Sequence, residues 1–177
     1  MLIMVGASAT GKTEIAKLLI NKFDFKKMIT YTTRPKRENE VNGVDYHFVT
    51  VKEFKEKEQN HDFFETTLYN NNYYGTAFKD CANDKVLIVD ANGANAIYSK
   101  LPNEVTIFYL HAPYEIREQR MIARGDNPNL IEQRLVNDDR LLNINLLKHY
   151  DYVIESGYKS LDELALEIYS LYQAKQK

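Results

Sequence analysis

Residues 6–13 read GASATGKT and match the pattern G-x-x-x-x-G-K-[ST]. Four apolar residues, Leu2, Ile3, Met4 and Val5, precede the stretch, and Ile15, Leu18, Leu19 and Phe23 follow it at helical spacing. A strand that enters a glycine-rich loop and leaves it as a helix gives the pattern its physical meaning. Gly6 and Gly11 let the backbone turn so that N–H groups along Ala7, Ser8, Ala9 and Thr10 face an anion, and the helix N-terminus adds partial positive charge. Lys12 reaches the β- and γ-phosphates of a nucleotide, and Thr13 offers its hydroxyl to Mg²⁺. Few folds accommodate such a junction, and the chain is expected to be built on an α/β core.

The remaining pattern agrees. Apolar runs at 27–33, 85–90, 104–112 and 150–156 read as strands, and the second is continuous enough to be buried on both faces. Helices are expected over about 92–100, over 114–123 behind Pro113, from Pro128 to about His149, and from Leu161 to Gln173 behind a Ser160/Glu163 capping box. Strands that alternate with helices indicate a parallel sheet covered on both faces. Residues 34–83 break the rhythm. A strand at Tyr46–Val49, a short helix capped by Thr50 and Glu53, and two strands around the Asn-rich turn of DFFETTLYNNNYYGT make a small mixed, mostly β insertion. The expected organisation is a core of 1–33 and 84–177 interrupted by an insertion of 34–83.

Composition narrows the functional classes. Apolar residues make up 44 % and charged residues 27 %, and the formal net charge of −2 argues against a general nucleic-acid binder. One cysteine, Cys81, allows no intrachain disulfide and no thiolate metal site, and it reads as a small helix residue. The histidines, His47, His61, His111 and His149, show no metal spacing. A strand beginning at residue 2 leaves no room for a targeting sequence, and no run approaches the ~20 apolar residues that cross a bilayer. A cytoplasmic setting with no membrane and no obligate protein partner is expected.

Transfer of a phosphoryl group to a small acceptor needs a donor loop, a second anion site and mobile cations. Arg34 and Arg37, in TTRPKR, follow a core strand, where the strand carboxyl ends of such sheets line a ligand crevice. Their forked guanidiniums suit a phosphate dianion, and Tyr46 and Tyr74 add phenolic hydroxyls. The competing reading is a solvated basic loop with structural tyrosines. Arg117, Arg120, Arg124 and Arg134 surround a helix–loop–helix broken at Gly125, Asp126 and Asn127, with Arg120 and Arg124 on one helical face and Arg124 assigned to the donor. Here the competing reading is a surface face balanced by Glu115, Glu118 and Glu132.

GASATGKT, TTRPKRENEVNGVDYHFV, FFE ahead of NYYGT, VDANGA, and RMIARG with EQRL occur in this order and at separations that resemble guanylate kinase over almost the whole chain. The loop alone is shared by many NTPases; the TTRPKR…GVDYHFV and NYYGT blocks carry the likeness. The resemblance implies a parallel-sheet P-loop NTPase core, an insertion that binds GMP, a helical lid at about 120–134, ATP with Mg²⁺ as donor, and formation of ADP and GDP. It further implies that Arg34, Arg37, Tyr46 and Tyr74 hold the GMP phosphate and that Glu65 and Thr76 read guanine. Thr30 stands where the family has serine. Asp90 lies near the acceptor base and metal, and Lys12, Arg34, Arg120 and Arg134 act on the transferred group. The attacking phosphate oxygen is ionised near pH 7, with a second pKa of about 6, so no general base is required.

The sequence departs from the family in three places. The loop reads ASAT, Ile88 stands where a second acid is common, and Glu155 and Ser156 replace an Asn-Asp pair near the donor base. Two other readings stand beside the leading one. One is a kinase of another or a modified nucleoside monophosphate; the other is an inactive guanylate-kinase-like domain that binds protein. Joint retention of Lys12, Thr13, Arg34, Arg37 and Glu65 argues against the last.

Overall fold

Leu2 to Val5 are buried at every position, the pattern of a strand with neighbours on both edges and helices on both faces. The computed structural model describes residues 1–38, 40–69 and 71–176. Its elements in chain order are β1 (Leu2–Val5), α1 (Lys12–Lys22), β2 (Lys26–Lys27), β3 (Tyr31–Thr32), β4 (His47–Phe48), α2 (Val51–Gln59), β5 (Phe63–Tyr69), β6 (Asn72–Ala77), β7 (Lys85–Ile88), α3 (Ala91–Lys100), β8 (Thr106–His111), α4 (Tyr114–Ala123), α5 (Pro128–Leu141), β9 (Tyr152–Glu155) and α6 (Leu161–Lys175). They form two compact units, Met1–Lys27 with Asn83–Lys177, and Met28–Ala82.

The first unit, the core, carries a five-stranded sheet of order β2-β7-β1-β8-β9 in which every pairing is parallel. The expected α/β architecture is therefore present. Leu2, Met4, Phe108 and Leu110 alternate onto one face, where Ile15 and Leu19 of α1 and Leu164, Ile168 and Tyr172 of α6 cover them. Each such side chain contributes roughly 1.5–3 kcal/mol when fully buried. Capping boxes at Thr50/Glu53 and Ser160/Glu163 start α2 and α6 as expected.

The second unit, the insert, carries a four-stranded sheet of order β4-β3-β6-β5, with β3–β4 parallel and the other pairs antiparallel. Tyr31, Phe54, Phe63 and Ala77 form its core. A Cβ at Gly75 would be crowded, with Phe54 and Phe63 ring carbons 3.0 Å from where it would stand. Since 63, 75 and 77 face α2, the alternate residues of β6, Tyr74 and Thr76, face the other way.

Four expectations need correction. The run 27–33 is not one strand: Lys27 pairs with Val86 in the core sheet, whereas Tyr31 pairs with His47 in the insert sheet. Both halves read as β because each is extended, but the chain changes sheets between them. The helix from Pro128 stops at Leu141, because Asn143 accepts from Asn145 N and turns the chain into a 3₁₀ turn at Ile144–Leu146. Cys81 lies just past a 3₁₀ turn in extended backbone, not in a helix. In the 85–90 run, Val86 and Leu87 are buried but Ile88 is 37 % exposed, as the strand emerges at the carboxyl end of the sheet.

Candidate active site

The glycine-rich loop is shaped by residues that tolerate unusual backbone. Gly6 has φ +149°, and a Cβ there would lie 2.3 Å from the Leu110 carbonyl oxygen. Ala9 (φ 61°) and Gly11 (φ 92°) are left-handed, and Gly11 is the N-cap of α1. Lys12 Nζ donates to the carbonyls of Gly6 at 2.7 Å and Ala7 at 2.6 Å. Thr10 Oγ1, itself donating to Ala7 O at 2.9 Å, lies 3.3 Å from the same ammonium. Burial pushes Lys12 down to about 8, with Asp138 opposing that shift and Arg117 and Arg124 reinforcing it. The ammonium thus rests on its own loop, curled over the space between its strand and helix. Thr13 is exposed in the first turn of α1.

Two concavities flank this loop within the core. One, about 560 Å³, is lined by Ser8, Ala9, Gly11, Lys12, Thr13, Glu14, Arg120, Arg124 and Leu161. The other, about 410 Å³, includes Ala7, Thr10, Tyr109, the buried Arg117 and Asp138. Arg120 is held in place by carbonyls: Nη1 donates to Ala9 O at 3.1 Å and Nη2 to Ser156 O at 2.6 Å. Arg124 donates through Nε and Nη2 to both oxygens of Asp126, at 2.8 and 2.6 Å. Arg134 reaches the same carboxylate at 3.0 Å. Gly125 (φ 80°) makes the turn that places Asp126 there.

Sequence reasoning missed the acids that gather these donors. In the sequence Asp126 reads only as part of a helix break. Asp138 carries no motif, yet its carboxylate accepts the Ser8 N–H at 2.6 Å, on the loop where N–H groups face an anion. Its place one turn after Arg134, at i+4, was the available signal. Asp90 caps α3, accepting from Gly93 N at 2.8 Å. Glu155 pairs with His111 at 2.8 Å, opposite it in the β8–β9 register. Ser156 is fully buried and donates to His111 O.

In the insert, the register sets Glu65 opposite Thr76 and Thr67 opposite Tyr74. Glu65, Thr76 and Tyr74 therefore share the face that α2 does not cover. Thr76 Oγ1 donates to Glu65 Oε1 at 2.9 Å, and Thr76 itself is buried. Arg34 lies 5.6 Å from the ring centres of both Tyr46 and Phe48, and its charged form is favoured first by Glu40 and also by the nearby Tyr74. Its Nη2 donates to Glu40 Oε1 at 2.6 Å and its Nη1 to Pro35 O at 2.8 Å. Arg37 is exposed, and its backbone N–H donates to Glu40 Oε2 at 2.8 Å. Tyr46 meets Tyr74 edge-on at 6.2 Å. Thr30 is half-buried, and its carbonyl accepts from His47 N. The insert thus brings together Arg34, Tyr46 and Tyr74 in one cluster and Glu65 with Thr76 in another.

Among the described residues no helix is long and apolar enough to cross a membrane, and no three His, Cys, Asp or Glu side chains converge as a metal cage. Comparison with known proteins gives a consistent result. The family model described as guanylate kinase matches residues 1–173. A guanylate kinase of Hyphomonas neptunium is 35 % identical over 163 residues, covering 87 % of this chain and 74 % of the relative. One from Streptococcus agalactiae is 33 % identical over 172 residues, covering 91 % and 80 %. The crystal structure of guanylate kinase from Anaplasma phagocytophilum shares the fold, with a TM-score of 0.71 at 24 % identity, covering 99 % of this chain and 85 % of that one.

Proposed function

The chain belongs to the guanylate kinase family, the ATP:GMP phosphotransferases, and from that membership we propose which of its residues carry the reaction. The γ-phosphoryl group of ATP passes to GMP, giving ADP and GDP. The donor triphosphate lies along the loop from Gly6 to Thr13, with Ala7, Ser8, Ala9 and Thr10 supplying backbone and Gly11 opening the helix N-terminus. Lys12 leaves its carbonyls and neutralises charge on the β- and γ-phosphates. Arg120 from α4, Arg124 at its C-terminal end and Arg134 from α5 serve the same charge. In this reading the core unit, Met1–Lys27 with Asn83–Lys177, carries the donor site and a lid at about 120–134, and Met28–Ala82 is the acceptor unit.

The acceptor phosphate is held by Arg34, Arg37, Tyr46 and Tyr74. The base is read by Glu65 and Thr76, with Thr30 grouped with them where the family has serine. The observation that carries this reading is the Glu65–Thr76 pair on the face of β5–β6 turned away from α2. Guanine presents N1–H and its N2 amino group side by side, which a carboxylate accepts together, while the single O–H of Thr76 goes to Glu65 and holds that carboxylate in place. Asp90, which caps α3 here, is assigned to the acceptor from the family membership. Thr13 fits a Mg²⁺ that travels with the nucleotide, since such an ion keeps several waters and takes few protein ligands. Mg²⁺ would add charge neutralisation on the phosphates. No protein group needs to remove a proton, because the attacking phosphate oxygen is already ionised.

A coupled assay with ATP, Mg²⁺ and a panel of nucleoside monophosphates tests the reading. GMP should be the preferred acceptor by orders of magnitude. Preference for another monophosphate would move the assignment to a different acceptor, and no turnover with any of them would favour a protein-binding role.

A further inference from the structure

Glu40 has no role in the reading above, yet its carboxylate bonds both the Arg34 guanidinium and the Arg37 backbone of the insert. Its two oxygens are both engaged: Oε1 accepts from the Arg34 guanidinium at 2.6 Å, and Oε2 accepts from the Arg37 backbone N–H at 2.8 Å. The Arg34 and Glu40 side chains are only 16 % and 17 % exposed. That separates this pair from the solvent-exposed ion pairs that contribute little. On its other sides Arg34 is bounded by the Pro35 carbonyl and by the rings of Tyr46 and Phe48. A guanidinium carries five N–H donors, so these bonds fix its plane and leave donors over.

We propose that Glu40 is a positioning residue, which holds the Arg34 guanidinium and the Arg37 backbone in the arrangement that receives the phosphate of the acceptor nucleotide. The proposal rests on the assignment of Arg34 to that phosphate. A long flexible cation loses rotamer freedom when it binds an anion; one already held in a single geometry loses less. The carboxylate also sets the fork direction, since it takes one Nη and leaves the remaining donors to the incoming dianion. Glu40 stays ionised through the working range, because the Arg34 bond, with the Arg37 N–H second, holds its carboxyl down to about 2. Two other roles are open to such a carboxylate. It can compete with the phosphate for Arg34, or it can merely clip the loop. The three roles differ in measurable ways.

The test is Glu40→Gln, nearly isosteric and uncharged, with folding checked by Tm. At saturating ATP we expect KM for GMP to rise about tenfold or more, with kcat at saturating GMP within about threefold of wild type and KM for ATP unchanged. Inhibition by guanosine, which has the base but no phosphate, should stay unchanged. A KM for GMP that is unaltered or lower overturns the proposal, the lower value pointing to competition. Equal weakening of guanosine and GMP also overturns it, since that is the mark of a loop clip. Arg34→Ala, measured in parallel, separates the two layers. If Arg34→Ala raises KM for GMP and Glu40→Gln does not, the positioning role alone fails. If Arg34→Ala has no effect, the assignment of Arg34 itself is wrong.

Discussion

Replacing Glu65 by Gln keeps the shape of the proposed base reader and removes its charge. The wild-type carboxylate accepts two guanine donors, each a charge-assisted bond of roughly 1.5–3 kcal/mol. It also accepts from Thr76 Oγ1 at 2.9 Å, and that hydroxyl is buried and stays in place. Gln has one oxygen to share among these donors. If its amide donates to Thr76 Oγ1, the oxygen retains one guanine bond; if it turns the other way, an NH₂ faces guanine N–H. The loss is therefore about 3–5 kcal/mol, roughly 10²- to 10³-fold or slightly more in kcat/KM for GMP. IMP gives an internal scale, because it keeps N1–H and lacks the N2 amino group. With the wild type it should fall below GMP by about 10- to 150-fold, and AMP, with neither donor, by about 10⁴–10⁵. In Glu65→Gln the GMP-to-IMP gap should shrink to a few-fold. Coupled steady-state rates at saturating ATP report all of these. If Glu65→Gln keeps kcat/KM for GMP within about threefold and preserves the GMP-to-IMP ratio, guanine is not read by this carboxylate.

Three further expectations follow from particular contacts. Glu155 is already paired with His111 and Ser156 is buried, so donor affinity should rest on the triphosphate, and GTP or another NTP should support transfer within about tenfold of ATP; a thousandfold preference for ATP would reveal a base reader elsewhere. Gly6→Ala forces a Cβ to 2.3 Å from Leu110 O at φ +149°, and should cost about 3 kcal/mol or more, seen as a Tm lower by roughly 6–12 °C. Burial alone would raise the Asp151 carboxyl, but bonds from Lys175, Ile107 N–H and His149 outweigh it and hold the group below the usual carboxylate range. A depressed carboxyl stabilises above its unfolded value and loses that contribution as pH falls through the folded one; Asp151→Asn should therefore cost about 1–3 kcal/mol at pH 7, and denaturant titrations should show the gap closing below about pH 4.

The loop, the parallel core and the insertion were legible because each has a local signature: the glycine spacing, the alternation of strand and helix patterns, and the burst of Asn and Tyr. The two capping boxes were legible for the same reason, since Ser or Thr followed by Glu at the third residue is a contact between near neighbours. Strand identity was less so. Extended residues 27–33 look alike whether they pair with Val86 or with His47, and only tertiary structure separates the two partners. The acids Glu40, Asp126 and Asp138 were the hardest to see. An acid beside arginines reads as surface charge balance until the fold shows it bonded to them, and Asp138 meets Ser8 across 130 residues.

The way the core sheet closes around residues 28–82 bears on how this chain can be cut and rejoined. Lys27 is registered against Val86, and Lys26 N donates to Asp84 O at 2.7 Å. Asn83 lies three residues before Val86, so the two ends of the excised segment stand within roughly 12 Å of each other. About five residues of Gly and Ser span that distance with slack. The shortened connection would also lower the entropy of closing the loop, on the order of 2 kcal/mol for a tenfold change in length. A core made this way should retain its five parallel strands and serve as a frame into which other inserts are spliced between the same two residues.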